Sequence, residues 1–484
     1  MHRSLRKIVP ALASVATACA PLVASAEFLS PEAAQVFTLT RWATSPGDVT
    51  DFRFLPGGRV VIVEKSGIVR VGTPQSLIPS DPLLVDATGE KGLLGVEVDP
   101  DFATNGFIYL FWSVLDVAGN TEVRVSRFTV GADDRIAPGS EANLVREAQG
   151  SSNIGGALAI GPDGKLYVGI GDGGCNASAS SWFATCLTNG RGKILRVNLE
   201  DGSPPADNPL FSAASVRACG SACDVDPLNL TSDAPRKEIW AWGLRNPRRM
   251  WFDATRGNLW VGDDGEGMFQ EIDLVARGKH FGWPLREGSA GDPVSRCGDY
   301  TSQSGDCVDP IYSCDQAAAV DGGCSAITAG RIVDSCTWPS PWRGSYFFGD
   351  SATGEVWALP VNAERNGVGG ARVNVGTLVG EPPVAFQVGQ DGNLYVAAHA
   401  PSGSIFRIAP IAPAACPPSD GGTADGGTGP GQPGGGGAGA VVFGSHPASG
   451  SLRPTGACGC SASGLEGLIA LLALARVRRG KVSA

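Results

Sequence analysis

The sequence predicts an all-β chain folded as a six-bladed β-propeller, with long loops and disulfides. Three observations predict it. First, a glycine-containing turn that runs into an alternating strand recurs along the chain. It appears as LPGGRVVIVEK (55–65), GPDGKLYVGIG (161–171), TRGNLWVGDD (255–264) and GQDGNLYVAAH (389–399), with a looser copy in TNGFIYLFWS (104–113). Second, another apolar-x-apolar strand often follows, as in SGIVRV (66–71), GKILRVNL (192–199), TGEVWAL (353–359) and SGSIFRI (402–408). Third, strand clusters centre near Val61, Leu110, Tyr167, Trp260, Phe347 and Tyr395 with almost no helical pattern between them. Six units of about 60 residues fill the body of the chain, as radial repetition requires. A two-sheet sandwich with duplicated hairpins fits less well, because the repeats run the whole length of the body.

The ends read as targeting segments. Arg3, Arg6 and Lys7 precede an apolar run from Ile8 to Val23 and the small-residue site Ala24-Ser25-Ala26. Residues 1–26 therefore read as a secretory signal peptide. Residues 27–411 form the propeller. Residues 412–456, rich in Gly, Pro, Ala, Ser and Thr, read as a disordered linker. Residues 457–484 combine Cys458-Gly459-Cys460, an apolar run Leu465–Ala475 and a basic end, and the run is too short to span a bilayer comfortably. That pattern resembles a bacterial C-terminal sorting tag of the MYXO-CTERM kind, which implies an exported protein, periplasmic or held at the cell surface through the tag alone.

The full chain carries a formal charge of −10. Residues 1–26 contribute +3 and residues 458–484 another +3, so the region between them carries −16. An acidic, exported body argues against nucleic acid as a partner. Ten cysteines lie between the two ends, and an even number in an exported chain reads as disulfides. Cys175–Cys186, Cys219–Cys223 and Cys297–Cys307 are plausible local pairs, although connectivity is not deducible. Zinc is the lesser reading, since no Cys-x-x-Cys or His-x-Glu pattern accompanies them.

In a propeller, the loops of one face converge on the central channel, so polar residues just after strands become site candidates. Asp172, Asp263, Asp264 and His399 hold equivalent positions of this kind. Such an axial cluster can bind a metal or a planar cofactor. Further segments stand out: GEKGLLGVEVDPDF (89–102), NIGGALAIGPDGKLYVGIGDGG (153–174), GLRNPRRMWFD (243–253), GDDGEGMFQEIDLV (262–275), GKHFGWP (278–284) and YFFGDSATGEVW (346–357). In that order they strongly resemble the soluble PQQ-dependent sugar dehydrogenases, the glucose/sorbosone dehydrogenase family, over nearly the whole body from about Phe52 to Ile408. Aldose sugar dehydrogenases and Hedgehog-interacting-protein-like propellers share that superfamily.

The resemblance implies roles residue by residue. Arg245 matches the arginine that contacts the quinone and polarises its carbonyl, and Asn246 a cofactor-binding asparagine. Gly265 and Glu266 match positions whose main-chain carbonyls hold calcium, a hard ion suited to oxygen ligands. Asp172 matches the aspartate that supports a catalytic histidine, and Glu90 a polar position of the cofactor loop. The family's general base is a histidine, and here that position is Asn153, whose carboxamide cannot take a proton near neutral pH. The cofactor-binding lysine falls near Ala352 and two cofactor-contacting arginines near Pro382 and Val384, so basic contacts to the tricarboxylate PQQ are expected to be depleted. Only His280 and His399 remain in the body, and His399, ending a last-blade strand, is the substitute-base candidate.

The leading reading is oxidation of an aldose, a small-molecule sugar, at its anomeric carbon to a lactone, with PQQ, calcium and an electron acceptor not identified by the sequence. The alternative, raised by Asn153, is a non-catalytic calcium-binding propeller that holds a glycan or protein ligand. A weaker third reading is a lactonase in which calcium activates water. No Gly-x-Ser-x-Gly elbow, phosphate-binding loop or zinc-hydrolase pair supports another class.

Overall fold

A hairpin whose turn supplies a positive-φ glycine, followed by strands buried on both faces, is the unit that repeats. The computed structural model describes residues 28–174, 182–217, 232–291, 297, 307–317 and 323–416. The signal segment, nearly all of the linker and the C-terminal tag lie outside the described residues. Six antiparallel four-stranded sheets are arranged as blades.

Blade one holds Val49–Leu55, Arg59–Glu64, Val69–Thr73 and Ser76–Pro79. Blade two holds Leu93–Val98, Phe107–Leu115, Thr121–Thr129 and Ala142–Ala148, and blade three Gly155–Ile160, Lys165–Ile170, Lys193–Asn198 and Ile239–Trp242. Blade four holds Pro247–Phe252, Leu259–Asp263, Phe269–Val275 and Tyr312–Asp315, and blade five Ile327–Ile332, Ser345–Asp350, Glu355–Pro360 and Val373–Thr377. Blade six joins Pro383–Val388, Leu394–Ala398 and Ser404–Pro410 to Phe37–Thr44 from the start of the body. This last pairing, with Phe37 opposite Pro410, closes the ring and removes a free sheet edge. The first strand of each blade touches the first strand of the next, around the whole circle.

Each of the six strand centres read from the sequence lies on the second strand of its blade. The turn chemistry explains why. Gly164 and Gly392 adopt φ of 68° and 72°, a left-handed geometry that glycine accepts without strain. The preceding aspartates do a second job. Asp163 Oδ2 accepts from Tyr167 Oη at 3.0 Å and Arg196 Nε at 2.8 Å. Asp391 Oδ2 repeats this with Tyr395 Oη at 3.0 Å and Arg407 Nε at 3.0 Å. The phrase therefore encodes the turn and also pins it to the second and third strands.

The core is not one cluster but six, one in each gap between neighbouring blades. Cys297–Cys307 forms as the sequence suggests, and Cys314–Cys324 and Cys336–Cys416 are added. Cys175, Cys219 and Cys223 lie outside the described residues. Ala414 N donates to Thr337 O, and Cys416 is bridged to Cys336. The chain thus stays fastened to the body as far as Cys416, five residues past the Ile411 boundary read from the sequence.

Candidate functional site

The first strands of the blades run down the channel, and their starts open onto one mouth. Thr50, Leu94, Gly155, Arg248 and Val384, from five blades, line a cleft of about 200 Å³ there, with Lys65, Glu90, Asn246 and His399 at its walls.

Asn153 and Asp172 meet where blade three opens onto this mouth. Asn153 Nδ2 donates to Asp172 Oδ1 at 2.9 Å, and Asn153 N donates to Glu90 Oε2 at 2.8 Å. Gly174 N and Trp283 Nε1, each at 2.8 Å, add two more donors to Asp172. Burial nevertheless raises the Asp172 carboxyl above the usual range, against the pull of these donors and of Arg245. Asn153 has φ of 49°, a left-handed conformation in which Asn, Asp and His are the best-tolerated non-glycine residues.

Arg245 and Asn246 lead into blade four. Asp263 accepts both of their backbone N–H groups, at 2.9 and 2.6 Å, and Asn246 Oδ1 accepts from Gly155 N at 2.9 Å. Asn246 thus stitches blade four to blade three. The Arg245 guanidinium sits 5.6 Å from the Trp283 ring centre, and its Nη1 donates to Asp264 O and Gly265 O at 3.0 and 2.9 Å. This changes the metal expectation. The Gly265 carbonyl is engaged by a cation from the protein itself, and Glu266 is exposed.

The carboxylates gather one layer deeper. Asp263, Glu271 and Asp273 bring ligand oxygens within 4.8 Å of one another, all buried. Strand register explains the cluster, since Asp263 pairs directly with Glu271 and Asp273 lies two residues on, facing the same side. Neither oxygen of Asp273 has a hydrogen-bond partner. Burial, with mutual repulsion adding to it, pushes Asp263 up to about 7 and Glu271 up to about 8, and raises Asp273 strongly. The motif Glu-x-Asp inside a strand was the sequence signal for this triad.

Other cations stand near two of the positions expected to lack them. Arg248 Nη1 pairs with Asp264 Oδ2 at 3.0 Å and lies 3.5 Å from Ser351 Oγ, beside Ala352. Arg249 Nε donates to Val384 O at 2.9 Å, and its Nη2 reaches Thr50 O at 2.5 Å. Cations therefore arrive beside Ala352 and Val384 from the first strand of blade four rather than from those positions. Lys65, whose Nζ donates to Gly89 O at 2.6 Å, adds a further one. The two arginines after Asn246-Pro247 were visible in the sequence, but their reach across the channel was not.

The two body histidines separate cleanly. His280 is buried edge-on against Trp242, accepts from Gly282 N at Nδ1, and is pushed down to about 3 by burial. It stays neutral. His399 is half-exposed at the cleft, and its Nδ1 lies 2.5 Å from Asp48 Oδ1. The contact is a close approach rather than an aligned hydrogen bond, since Asp48 Oδ1 has no hydrogen-bond partner among the described residues. Asp48 was missed by sequence reasoning.

The model for glucose/sorbosone dehydrogenase matches residues 46–407. The chain belongs to that family, the PQQ-dependent glucose/sorbosone dehydrogenases. It is 25% identical over 429 residues to aldose sugar dehydrogenase YliI of Escherichia coli, covering 85% of this chain and 100% of that one. It is 26% identical over 272 residues to quinoprotein glucose dehydrogenase B of Acinetobacter calcoaceticus, covering 51% and 52%. Human Hedgehog-interacting protein matches at 26% over 223 residues, covering 40% and 28%. Among solved structures, the apo-form of the E. coli soluble aldose sugar dehydrogenase superposes with a TM-score of 0.62 at 22% identity, over 77% of this chain and 99% of that one. The PQQ-bound aldose sugar dehydrogenase of Streptomyces coelicolor gives 0.56 at 18%, over 77% and 98%. These likenesses establish the fold.

Proposed function

We propose that this protein is an exported PQQ-dependent dehydrogenase that oxidises an aldose at its anomeric carbon to the lactone. One observation carries the reading: Lys65, Arg248 and Arg249 converge with Asn246 on the cleft at the channel mouth. A tricarboxylate quinone needs such a set, because each carboxylate taken from water requires a cation or strong donors. The donor set fits PQQ, and Lys65, Arg248, Arg249 and Asn246 are the residues that would hold it, with Arg245 beside them. When bound, PQQ supplies the acceptor for the hydride leaving the anomeric carbon. Arg245, kept in place by two carbonyls and the Trp283 face, offers positive charge where negative charge develops.

The acid triad fits calcium in the same way. Three hard oxygen donors, one of them with both oxygens unpartnered, suit that ion better than zinc. Calcium there would keep Asp263 ionised, and Asp263 fixes the backbone of Arg245 and Asn246. The triad is a further candidate metal position beside the Gly265 and Glu266 carbonyls.

The hydroxyl proton of the sugar goes to the His399 imidazole, which lies against Asp48 at the cleft. Asp172 is the positioning residue of a base site that Asn153 leaves without a base. That substitution also favours the second reading, a propeller that binds calcium and a glycan or protein ligand without turnover. Reconstitution with calcium and PQQ, followed by dye-linked oxidation of an aldose panel, separates the two. Turnover supports the first, and cofactor binding or calcium-dependent stabilisation without turnover supports the second.

A further inference from the structure

The other mouth of the channel is also a lined cavity, of about 330 Å³, and all six blades contribute to it through Arg53, Glu97, Ile160, Trp251, Arg331 and Gln387. Its two arginines are partnered unevenly. Arg53 is neutralised twice, by Asp51 at 2.6 Å and Glu97 at 3.2 Å. Arg331 forms no salt bridge among the described residues. Its Nε and Nη2 both donate to Gln387 Oε1, at 3.3 and 2.9 Å, and its Nη1 donates to Gly330 O at 3.2 Å.

A guanidinium has five N–H donors. Those three bonds leave one N–H on each Nη, enough for two bonds to a carboxylate. Gln387, only 7% exposed, has its Nε2 buried without a partner. Burial, with repulsion from Arg53 adding to it, pulls the Arg331 guanidinium down to about 9 against the attraction of Glu97 and Asp51. The Trp251 ring centre lies 5.6 Å from the same guanidinium and gives the cavity an aromatic wall.

We propose that this mouth is a second ligand site, which takes a monocarboxylate on Arg331 and Gln387. The N–H groups left on Arg331 and the unpartnered Gln387 Nε2 match the two oxygens of one carboxylate, and the neighbouring Glu97 disfavours a dianion such as phosphate. An organic acid with a hydroxylated or apolar tail that can lie on Trp251 fits the space.

The test uses the full chain and acetate, gluconate and inorganic phosphate as probes, with sodium chloride at equal ionic strength as the control. Saturable stabilisation of the melting temperature by acetate and gluconate, beyond that from chloride or phosphate, is expected. Gln387→Glu supplies the missing charge from within. It is expected to raise the melting temperature and to reduce the acetate response at least tenfold in apparent affinity. Arg331→Met, checked for folding by circular dichroism, should abolish the response. Equal stabilisation by chloride overturns the proposal, as does an undiminished acetate response in Gln387→Glu. The site lies at the far end of the channel from the proposed PQQ cleft, so either can fail without the other.

Discussion

Replacing Asn153 by histidine tests whether the base site is intact and lacks only its base. The geometry is favourable atom by atom. Histidine Nδ1 stands the same number of bonds from Cα as asparagine Nδ2, which already donates to Asp172 Oδ1 at 2.9 Å. In Asn153→His, Nδ1–H inherits that bond, and Nε2 is left as the acceptor, the arrangement in which a carboxylate fixes the tautomer of a catalytic imidazole. The backbone tolerates the change, because φ of 49° suits histidine nearly as well as asparagine and Glu90 holds the amide. A positioned general base contributes about 10²–10⁴ in rate, or about 3–5 kcal/mol of barrier. Asn153→His, reconstituted with calcium and PQQ, should therefore raise kcat by about tenfold or more with little change in PQQ affinity, short of the full factor because His399 already takes the proton in the parent. A new acidic limb should appear in its pH profile near the imidazole range of about 6–7. Adding Asp172→Asn should remove most of the gain. A folded, PQQ-binding Asn153→His with kcat within about threefold of the parent would refute the reasoning.

The remaining expectations concern charge, metal and base. Lys65→Met should weaken PQQ binding about tenfold, read by absorbance titration, while leaving the melting temperature unchanged, since its one polar bond is to Gly89 O at the surface. Arg249→Met should instead lower stability by several kcal/mol in chemical denaturation (of order 1–3 for each buried acceptor left bare), because Thr50 O, Val384 O and Arg248 O all lose their donor. The raised values of Asp263 and Glu271 mean that the folded apo-protein binds more protons than the unfolded chain between about pH 4 and 8. The stability they contribute is full below the ordinary carboxylate range and is lost as pH rises through about 7 and 8. Calcium, which needs the ionised forms, should accordingly raise the melting temperature more at pH 8 than at pH 5.5, and Asp273→Asn should lose that response. His399→Gln should lower kcat at least tenfold with KM nearly unchanged, and Asp48→Asn should lower it less.

Much of the fold was legible because each blade repeats a local device. Asp163-Gly164 and Asp391-Gly392 encode the turn and its bond to the tyrosine four residues on within one hairpin, so the signal survives in a linear reading. The candidate site was legible where it is local too: Asn153 and Asp172 flank one hairpin, and Arg245 and Asn246 adjoin a strand start. What escaped is what the ring brings together from different blades. Arg248 and Arg249 belong to blade four yet serve positions beside blades five and six, which made Ala352, Pro382 and Val384 look like losses. Asp48 and His399 stand at opposite ends of the body and meet only because the last blade closes beside the first. Gly265 and Glu266 read as a metal site through the family resemblance, and no linear signal showed that Arg245 reaches the Gly265 carbonyl or that strand register gathers three acids nearby.

The central claim is that the cationic cleft holds a quinone cofactor and turns over a sugar. Its most direct test is the full chain loaded with calcium and stoichiometric PQQ and assayed for dye-linked oxidation across aldoses, with lactone identified as the product. The account predicts PQQ-dependent turnover that falls away in Arg245→Ala and His399→Gln. Absence of any PQQ-dependent turnover, with no thermal shift on adding PQQ to the folded protein, would contradict it.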